Sequence, residues 1–342
     1  MLSLFKKYNS NGCLFDNRPP SEKQKDFLWK EIVASAEPVN WQEKSQWRKF
    51  PIYDQNGSNA CVAFSLAKIL GIMHQVNEGE WIDFSPGFIY QQRSNKPSAG
   101  MAGIDAWEIV RKNGALLESF FPSQGKDDKY LDFYPVKNYE REIASVFKIS
   151  NYVILPTKDI DTIASTIQKT GKGVMVWYYW TYDEWDRDFP VIRNYNLDIV
   201  QACKHSTVAV DFTLYYGKKC LIIDDSWGHR GINGQRIITE DFHSQRNFFA
   251  AYPINFKFEE LSLPKPSYTF NKDLSYGMNN EDVKMLQCCL KYEGLFPVNT
   301  ECTGAFYGLT LSAVKKFQAK YGIPQTGYVG QITRAKLNSI YS

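Results

Sequence analysis

The sequence is short of histidine, of long apolar runs and of charge imbalance, and each shortage narrows what the chain can be. Four histidines stand in 342 residues: His74, His205, His229 and His243. Any chemistry that needs an imidazole must draw on one of them. No apolar run approaches the ~20 residues that cross a bilayer, so no membrane span is expected. The opening Met1-Leu2-Ser3-Leu4-Phe5-Lys6-Lys7 has no apolar h-region, so no Sec signal peptide is expected either. The net charge is only +3. Residues 276–342 hold seven Lys or Arg against four Asp or Glu, so the rest of the chain is balanced. That excludes the clustered basic stripe of a nucleic-acid binder. Seven cysteines (Cys13, Cys61, Cys203, Cys220, Cys288, Cys289 and Cys302) are too irregularly spaced for a disulfide scaffold or a zinc site, and their number is odd. The protein reads as one made in a reducing cytoplasm; a site of action outside the cell would need a carrier other than a signal peptide.

What is there is apolar and aromatic. Hydrophobic residues make up 44% and aromatics 15%, enough for a packed core and against disorder. The length allows two domains. The organising stretch is Asp54-Gln55-Asn56-Gly57-Ser58-Asn59-Ala60-Cys61-Val62-Ala63-Phe64-Ser65-Leu66-Ala67. A polar, turn-forming run gives way to apolar residues at helical spacing, so Cys61 falls where a loop becomes a helix. The N–H groups and dipole of a helix N-terminus favour an anion and so lower a thiol's pKa. Gln55, on the loop, can point its amide at the same place. The bland alternative is a buried structural cysteine, since free cysteine is among the most buried residue types.

Gln55 and Gly57, followed by Cys61-x-Ala63-Phe64-Ser65, resemble the active-site segment of papain-like cysteine peptidases. The family's usual cysteine three residues before the nucleophile is Ser58 here, and the usual tryptophan after it is Val62. Pro38-Val39-Asn40-Trp41 is similar to the opening of the family's mature domain. Asp83-Phe84-Ser85-Pro86 reads as a helix start, with Ser85 as N-cap and Pro86 at the first helical position. Gly100-Met101-Ala102-Gly103 opens a helix that ends at Asn113-Gly114. In the family this loop runs beside the substrate, so Gly100 and Gly103 are candidate substrate contacts where a peptide could add as a strand. Among the histidines, His74 lies too far along the cysteine's own helix, about 20 Å at ~1.5 Å per residue. His229 and His243 stand in polar surroundings and read as exposed.

His205 opens a buried strand, and Lys219-Cys220-Leu221-Ile222-Ile223-Asp224-Asp225-Ser226-Trp227-Gly228 ends a second. The pair is similar to the family's histidine and Asn-Ser-Trp-Gly segments. The resemblance implies Cys61 as nucleophile, His205 as general base and then acid, and Gln55 as oxyanion donor. Asp225 stands where the family has an asparagine to orient the histidine; an aspartate can accept the same N–H. On this reading, Asp225→Asn should be tolerated. Asp224 should face the other side of its strand, and Trp227 should cover the pair. The family's second tryptophan is absent, with Arg230-Gly231-Ile232 in its place.

The expected fold is α+β: a papain-like fold with a helical lobe and a strand-rich lobe over residues 38–256, then a small three-helix domain. Residues 1–37 form an arm, with a short amphipathic piece at Asp26–Val33. Residues 125–150 read as surface, and residues 257–273, with Pro264 and Pro266, as a tether. Residues 274–342 resemble a peptidoglycan-binding domain through Asp282-Val283-Lys284-x-Leu286-Gln287, Gly304-x-Phe306-x-x-x-Thr310, Ala313-Val314-x-x-Phe317-Gln318, and Thr326-Gly327 with Thr333. The expected partners are a peptide or protein substrate and peptidoglycan. No metal or organic cofactor is implied. Two function classes stay open: a wall-directed peptidase such as a phage or bacterial lytic enzyme, and a catalytically silent wall-binding or virion structural protein.

Overall fold

The computed structural model describes residues 12–23, 38–97, 99–181, 183–258, 265–297 and 300–342. The amphipathic piece Asp26–Val33 and Pro264 lie outside the described residues.

The helix Cys61–Glu78 is buried on every side from Cys61 to His74. Its sequence is apolar almost all round, which suits a helix at the centre of a fold. It packs on the helices Pro86–Gln91 and Gly103–Asn113, which complete the helical lobe. Ser85 caps the first of these by accepting from Phe88 N at 3.1 Å.

Beside them lies a six-stranded sheet of strands β3 (Phe147–Ile154), β4 (Val174–Trp180), β5 (Cys203–Tyr215), β6 (Lys218–Asp224), β7 (Gln235–Thr239) and β8 (Asn247–Phe258). The order is β3-β8-β4-β5-β6-β7, and every pairing is antiparallel. Both faces are covered. Met175, Trp177, Val208, Val210, Cys220 and Ile222 face the Cys61 helix. Val176, Tyr178, Ala209, Phe212, Leu221 and Ile223 face the helix Ile160–Thr170 and a second core. Side chains alternate across a strand, so a sheet buried on both faces reads as continuous apolar runs.

The stretch read as surface, 125–150, is not. It forms the helices Asp128–Phe133 and Asn138–Ala144 and the start of β3, and buries Leu131, Ile143, Ala144 and Phe147. β3 hides from a period-two reading because its inward alternation changes phase between Ile149 and Tyr152.

The C-terminal module is three helices, Glu281–Tyr292, Gly308–Lys320 and Gln331–Tyr341, around Phe270, Val283, Leu286, Phe306, Val314, Phe317 and Leu337. Its motif residues form two matching clamps. Gln287 accepts from Gly304 N at 2.9 Å and donates to Thr310 Oγ1 at 2.8 Å. Gln318 accepts from Gly327 N at 2.8 Å and donates to Thr333 Oγ1 at 3.1 Å. Gly304 and Gly327 have φ of 80° and 74°, a region that glycine enters without penalty. The motif's Gln, Gly and Thr therefore hold the module together.

The module does not hang from a free tether. Lys291 Nζ donates to Ser119 Oγ at 2.9 Å, Cys302 N to Ser119 O at 3.1 Å and Lys284 Nζ to Tyr134 OH at 2.9 Å. Cys288 and Cys302 are buried in the core of the helical lobe. Residues 268–270, expected to be tether, also belong to the module: Tyr268 N donates to Tyr341 O at 2.7 Å. Among the described residues, no helix is long and apolar enough to cross a membrane.

Candidate active site

Cys61 is the first residue of its helix, and the first intrahelical hydrogen bond runs from Phe64 N to Ala60 O at 3.0 Å. The Cys61 N–H therefore belongs to the helix's unpaired first turn. His205 lies on β5 and Asp225 just past the end of β6. The pairing of Val208 with Asp224, continued along the two chains, sets Trp227 opposite His205. Their ring centroids are 4.8 Å apart. His205 Nε2 meets Asp225 Oδ1 at 2.7 Å. That leaves Nδ1, which has no other hydrogen-bond partner among the described residues, to the Cys61 thiol.

The three groups set one another's charge. Burial would lower the His205 pKa, but the Asp225 carboxylate and then Cys61 raise it to about 9. Burial would raise the Cys61 thiol, but hydrogen bonds from Cys13 and His205 and the imidazolium charge bring it down to about 5. Between these values the pair is thiolate and imidazolium. Burial also works against the Asp225 charge, yet Arg236 and His205 hold its carboxyl well below the usual range.

Arg236 and Trp185 are the members that sequence reasoning missed. Arg236 Nε donates to Asp225 Oδ2 at 2.6 Å from full burial. Its Nη1 donates to the carbonyls of Trp185 and Arg187 at 3.1 and 2.7 Å. Trp185 Nε1 donates to Asp225 Oδ2 at 3.3 Å, and its ring stands edge-on to His205. The loop carrying Trp185 is fixed by the buried pair Glu184–Arg246 at 2.7 Å. An arginine inside the apolar strand Gln235–Thr239 was the available signal, because a buried charge needs a partner.

Gln55 is fully buried. Its Oε1 accepts from Ser226 Oγ at 2.7 Å, and its Nε2 donates to Ser58 O at 2.5 Å. An amide nitrogen has two hydrogens, so one remains to point elsewhere. Asp224 lies off the site as expected, paired with the buried Lys68 of the Cys61 helix at 3.1 Å. His74 binds Glu80 O through Nδ1 at 2.6 Å, and His229 is exposed. His243, read as exposed, is fully buried, with Nδ1 on Tyr178 OH at 2.9 Å. The polar helix Glu240–Arg246 turns Phe242, His243 and Arg246 inward.

The loop read as a substrate edge is occupied by the chain itself. β1 (Cys13–Leu14) pairs in parallel with β2 (Met101–Ala102), and Met101 N donates to Gly12 O at 2.8 Å. A Cβ on Gly12 would lie 2.5 Å from Cys61 Sγ and 2.6 Å from Asn59 O, so only glycine fits against the thiol. Cys13 Sγ is 3.6 Å from Cys61 Sγ, and both residues are fully buried. The pairing edge is Met101–Ala102. Gly100 O accepts from Asn95 Nδ2 at 3.0 Å. Gly103 is filled from behind: its Cβ would meet Trp177 and Phe249 at 2.8 and 2.9 Å.

Residues 35–241, which include Gln55, Cys61, Trp185, His205, Asp225 and Arg236, match the family model described as papain family cysteine protease. The chain belongs to the papain family of cysteine proteases. Residues 279–337 match the model described as "Putative peptidoglycan binding domain". Cysteine proteinase 1 of Entamoeba histolytica is 24% identical over 211 residues, covering 57% of this chain and 61% of that protein. The oryzain beta chain of Oryza sativa is 24% identical over 203 residues, covering 58% and 40%. The alignments thus span only 40–61% of the length of these curated relatives. Among solved structures, xylellain, a cysteine protease from Xylella fastidiosa, superposes with a TM-score of 0.58 at 19% identity, covering 74% of this chain and 98% of that one. Digestive procathepsin L2 from the larval midgut of Tenebrio molitor gives 0.57 at 19% identity, covering 73% and 79%. At these identities the likeness concerns the papain-like fold alone.

Proposed function

We propose that this papain-family chain is a cysteine endopeptidase directed to bacterial cell wall by its C-terminal module. The observation that carries the reading is the buried line Cys61–His205–Asp225, with His205 Nε2 fixed 2.7 Å from Asp225 Oδ1. The Cys61 thiolate attacks the carbonyl carbon of a peptide bond. The oxyanion is held by the free hydrogen of Gln55 Nε2 and the Cys61 N–H. The His205 imidazolium gives its proton to the departing amine, leaving a thioester on Cys61. Neutral His205 then takes a proton from water, whose oxygen attacks the thioester. The acid is released and the thiolate returns.

Substrates are wall-associated proteins or the peptide stems of peptidoglycan, and the site of action is the wall or a virion, as in a phage or bacterial lytic enzyme. Support for wall binding comes from the module's surface. Tyr276 and Tyr307 are 61% and 52% exposed with ring centroids 5.6 Å apart, and Leu309 and Ile332 are exposed too. Aromatic faces of this kind suit a sugar–peptide polymer. The second reading, a silent wall-binding protein on a papain scaffold, draws on the closed cleft.

The test uses the full chain and a Cys61→Ala variant, incubated with purified murein, casein and a fluorogenic peptide, with products read by mass. Hydrolysis that disappears in Cys61→Ala, at unchanged melting temperature, supports the enzyme. No product from any substrate, together with no labelling of Cys61 by a thiolate-directed epoxide after residues 1–16 are removed, leaves the silent reading.

A further inference from the structure

We propose that Cys13 is a redox modification site: a hydroperoxide joins it to Cys61 in a disulfide that fastens the N-terminal segment across the cleft. The proposal rests on Cys61 being the reactive thiol, and goes beyond it by giving Cys13 a chemistry of its own.

Three observations put Cys13 in place for this. Its sulfur is 3.6 Å from that of Cys61, which is van der Waals contact. Its backbone is held in register, Cys13 against Met101 and Leu14 against Ala102. Gly12 lets the segment lie against the nucleophile, since any side chain there would collide with Cys61 Sγ or Asn59 O. A segment that merely blocked the cleft would need no thiol facing the thiol beneath it. Cys13 is also fully buried among apolar neighbours, and in reduced form its thiol is pushed well above the ordinary range by burial and by Cys61. Cys13 is therefore poor as a first nucleophile and placed to be a second.

The chemistry balances with one equivalent of hydrogen peroxide as the hydroperoxide. The ladder holding the segment is two residues long, and Leu14 and Phe15 are partly exposed, so it opens locally to admit a small oxidant. The Cys61 thiolate attacks the peroxide oxygen and breaks the O–O bond. The products are a sulfenic acid on Cys61 and hydroxide, which becomes water by taking a proton from the imidazolium of His205. When the segment reseats, the Cys13 sulfur attacks the sulfenic sulfur. The S–O bond breaks, and the leaving hydroxide takes the Cys13 proton as a second water. Each sulfur has given one electron, and both peroxide oxygens are reduced. A dithiol reverses the bond by exchange, through attack on either sulfur. Without Cys13, the sulfenic acid proceeds with more peroxide to sulfinic acid, which dithiols do not reverse.

The experiment treats the full-length protein and its Cys13→Ser variant with hydrogen peroxide, blocks free thiols, and maps peptides by mass without reduction. The expected result for the wild type is one linked peptide pair carrying Cys13 and Cys61, two hydrogens lighter than the separate peptides and lost with dithiothreitol. The variant should instead accumulate sulfinic acid on Cys61 that dithiothreitol does not remove. The proposal is overturned if Cys61 reaches sulfinic acid equally fast in both proteins, or if Cys13 is found linked elsewhere or unmodified. The readout is mass, not hydrolysis. A protein that cuts nothing can still form the bond, and an active peptidase that fails to form it refutes this proposal alone.

Discussion

The substitution Asp225→Asn separates the family's usual arrangement from this one. Asp225 is fully buried between His205 Nε2 at 2.7 Å and Arg236 Nε at 2.6 Å. An asparagine has one acceptor and one donor end. Turned to accept from His205, it faces Arg236 with an N–H; turned to accept from Arg236, it faces His205 with one. Either way, Arg236 keeps a buried charge with only carbonyls and the more distant Asp186, at 3.6 Å. Removing one partner of a buried ion pair costs about 3–5 kcal/mol, and Asp186 should hold the loss near the lower end. For a domain of this size that is a fall of about 10 °C in melting temperature. The pH at which to look follows from the two shifts. His205 is raised from 6.5 to about 9, so its share of the stability is complete below 6.5 and lost as pH rises through about 9. The Asp225 carboxyl is depressed, so its share is present above its unfolded value of about 4 and lost as pH falls through its depressed folded value. Both are complete between about pH 4 and 6.5, and thermal unfolding by circular dichroism at pH 6 reads the full difference. The basic limb of kcat/KM, which reports the free enzyme, should move down from near 9, because the carboxylate that raises His205 is gone. Combining Asp225→Asn with Arg236→Gln should restore part of the stability, giving a coupling of about 2 kcal/mol in a double-mutant cycle. A single variant that melts within about 2 °C of wild type, with an unmoved basic limb, would refute the reasoning.

Deleting residues 1–16 should raise hydrolysis of a small peptide about tenfold or more. The short ladder and buried thiol are worth about 2 kcal/mol, and every 1.4 kcal/mol is a factor of ten; initial rates of the two proteins under reducing conditions decide it. Gln55→Ala should lower kcat about 100-fold, the usual loss for one oxyanion donor, while epoxide labelling of Cys61 in the truncated form continues; loss of labelling as well would mean that Gln55 holds the loop rather than the oxyanion. The full chain should pellet with purified peptidoglycan through its module, and the binding should have two parts. One part weakens as salt shortens the Debye length from ~10 Å at 0.1 M to ~3 Å at 1 M, and the other does not. Binding that vanishes entirely at high salt would remove the stacking role of Tyr276 and Tyr307.

How much of this was legible in the sequence depends on the distance over which each feature is decided. Cys61 at a helix start and Ser85 as a cap are local facts, each written within about ten residues, and His205 and Asp225, 20 residues apart, lie on and just past two consecutive strands joined by one short turn. The module's Gln-Gly-Thr motifs were legible too, although what they specify is the pair of clamps, Gln287 on Gly304 and Gln318 on Gly327. What escaped was set by partners far away in the chain. Arg236 escaped because the Trp185 and Arg187 carbonyls that hold it beside Asp225 lie 51 and 49 residues earlier. His243 looked exposed because Tyr178, which receives it, is 65 residues earlier. The segment 125–150 looked like surface because its partners are distant: β3 pairs with β8, and Tyr134 accepts from Lys284, 150 residues on.

Cys13 is the extreme case. Nothing in the polar arm around it points to Cys61, 48 residues on. The pattern at Cys61 is complete without it. The contact exists because Gly12 has no side chain and because the edge Met101–Ala102 accepts a strand from its own chain. On the proposed function a peptide substrate adds to this same edge, in which case the arm and the substrate compete for one set of backbone groups. A peptide that displaces the arm must also uncover the Cys61 sulfur, because Gly12 and Cys13 lie directly on it. Access to the edge and access to the nucleophile are therefore one event, and any bond between Cys13 and Cys61 closes both together.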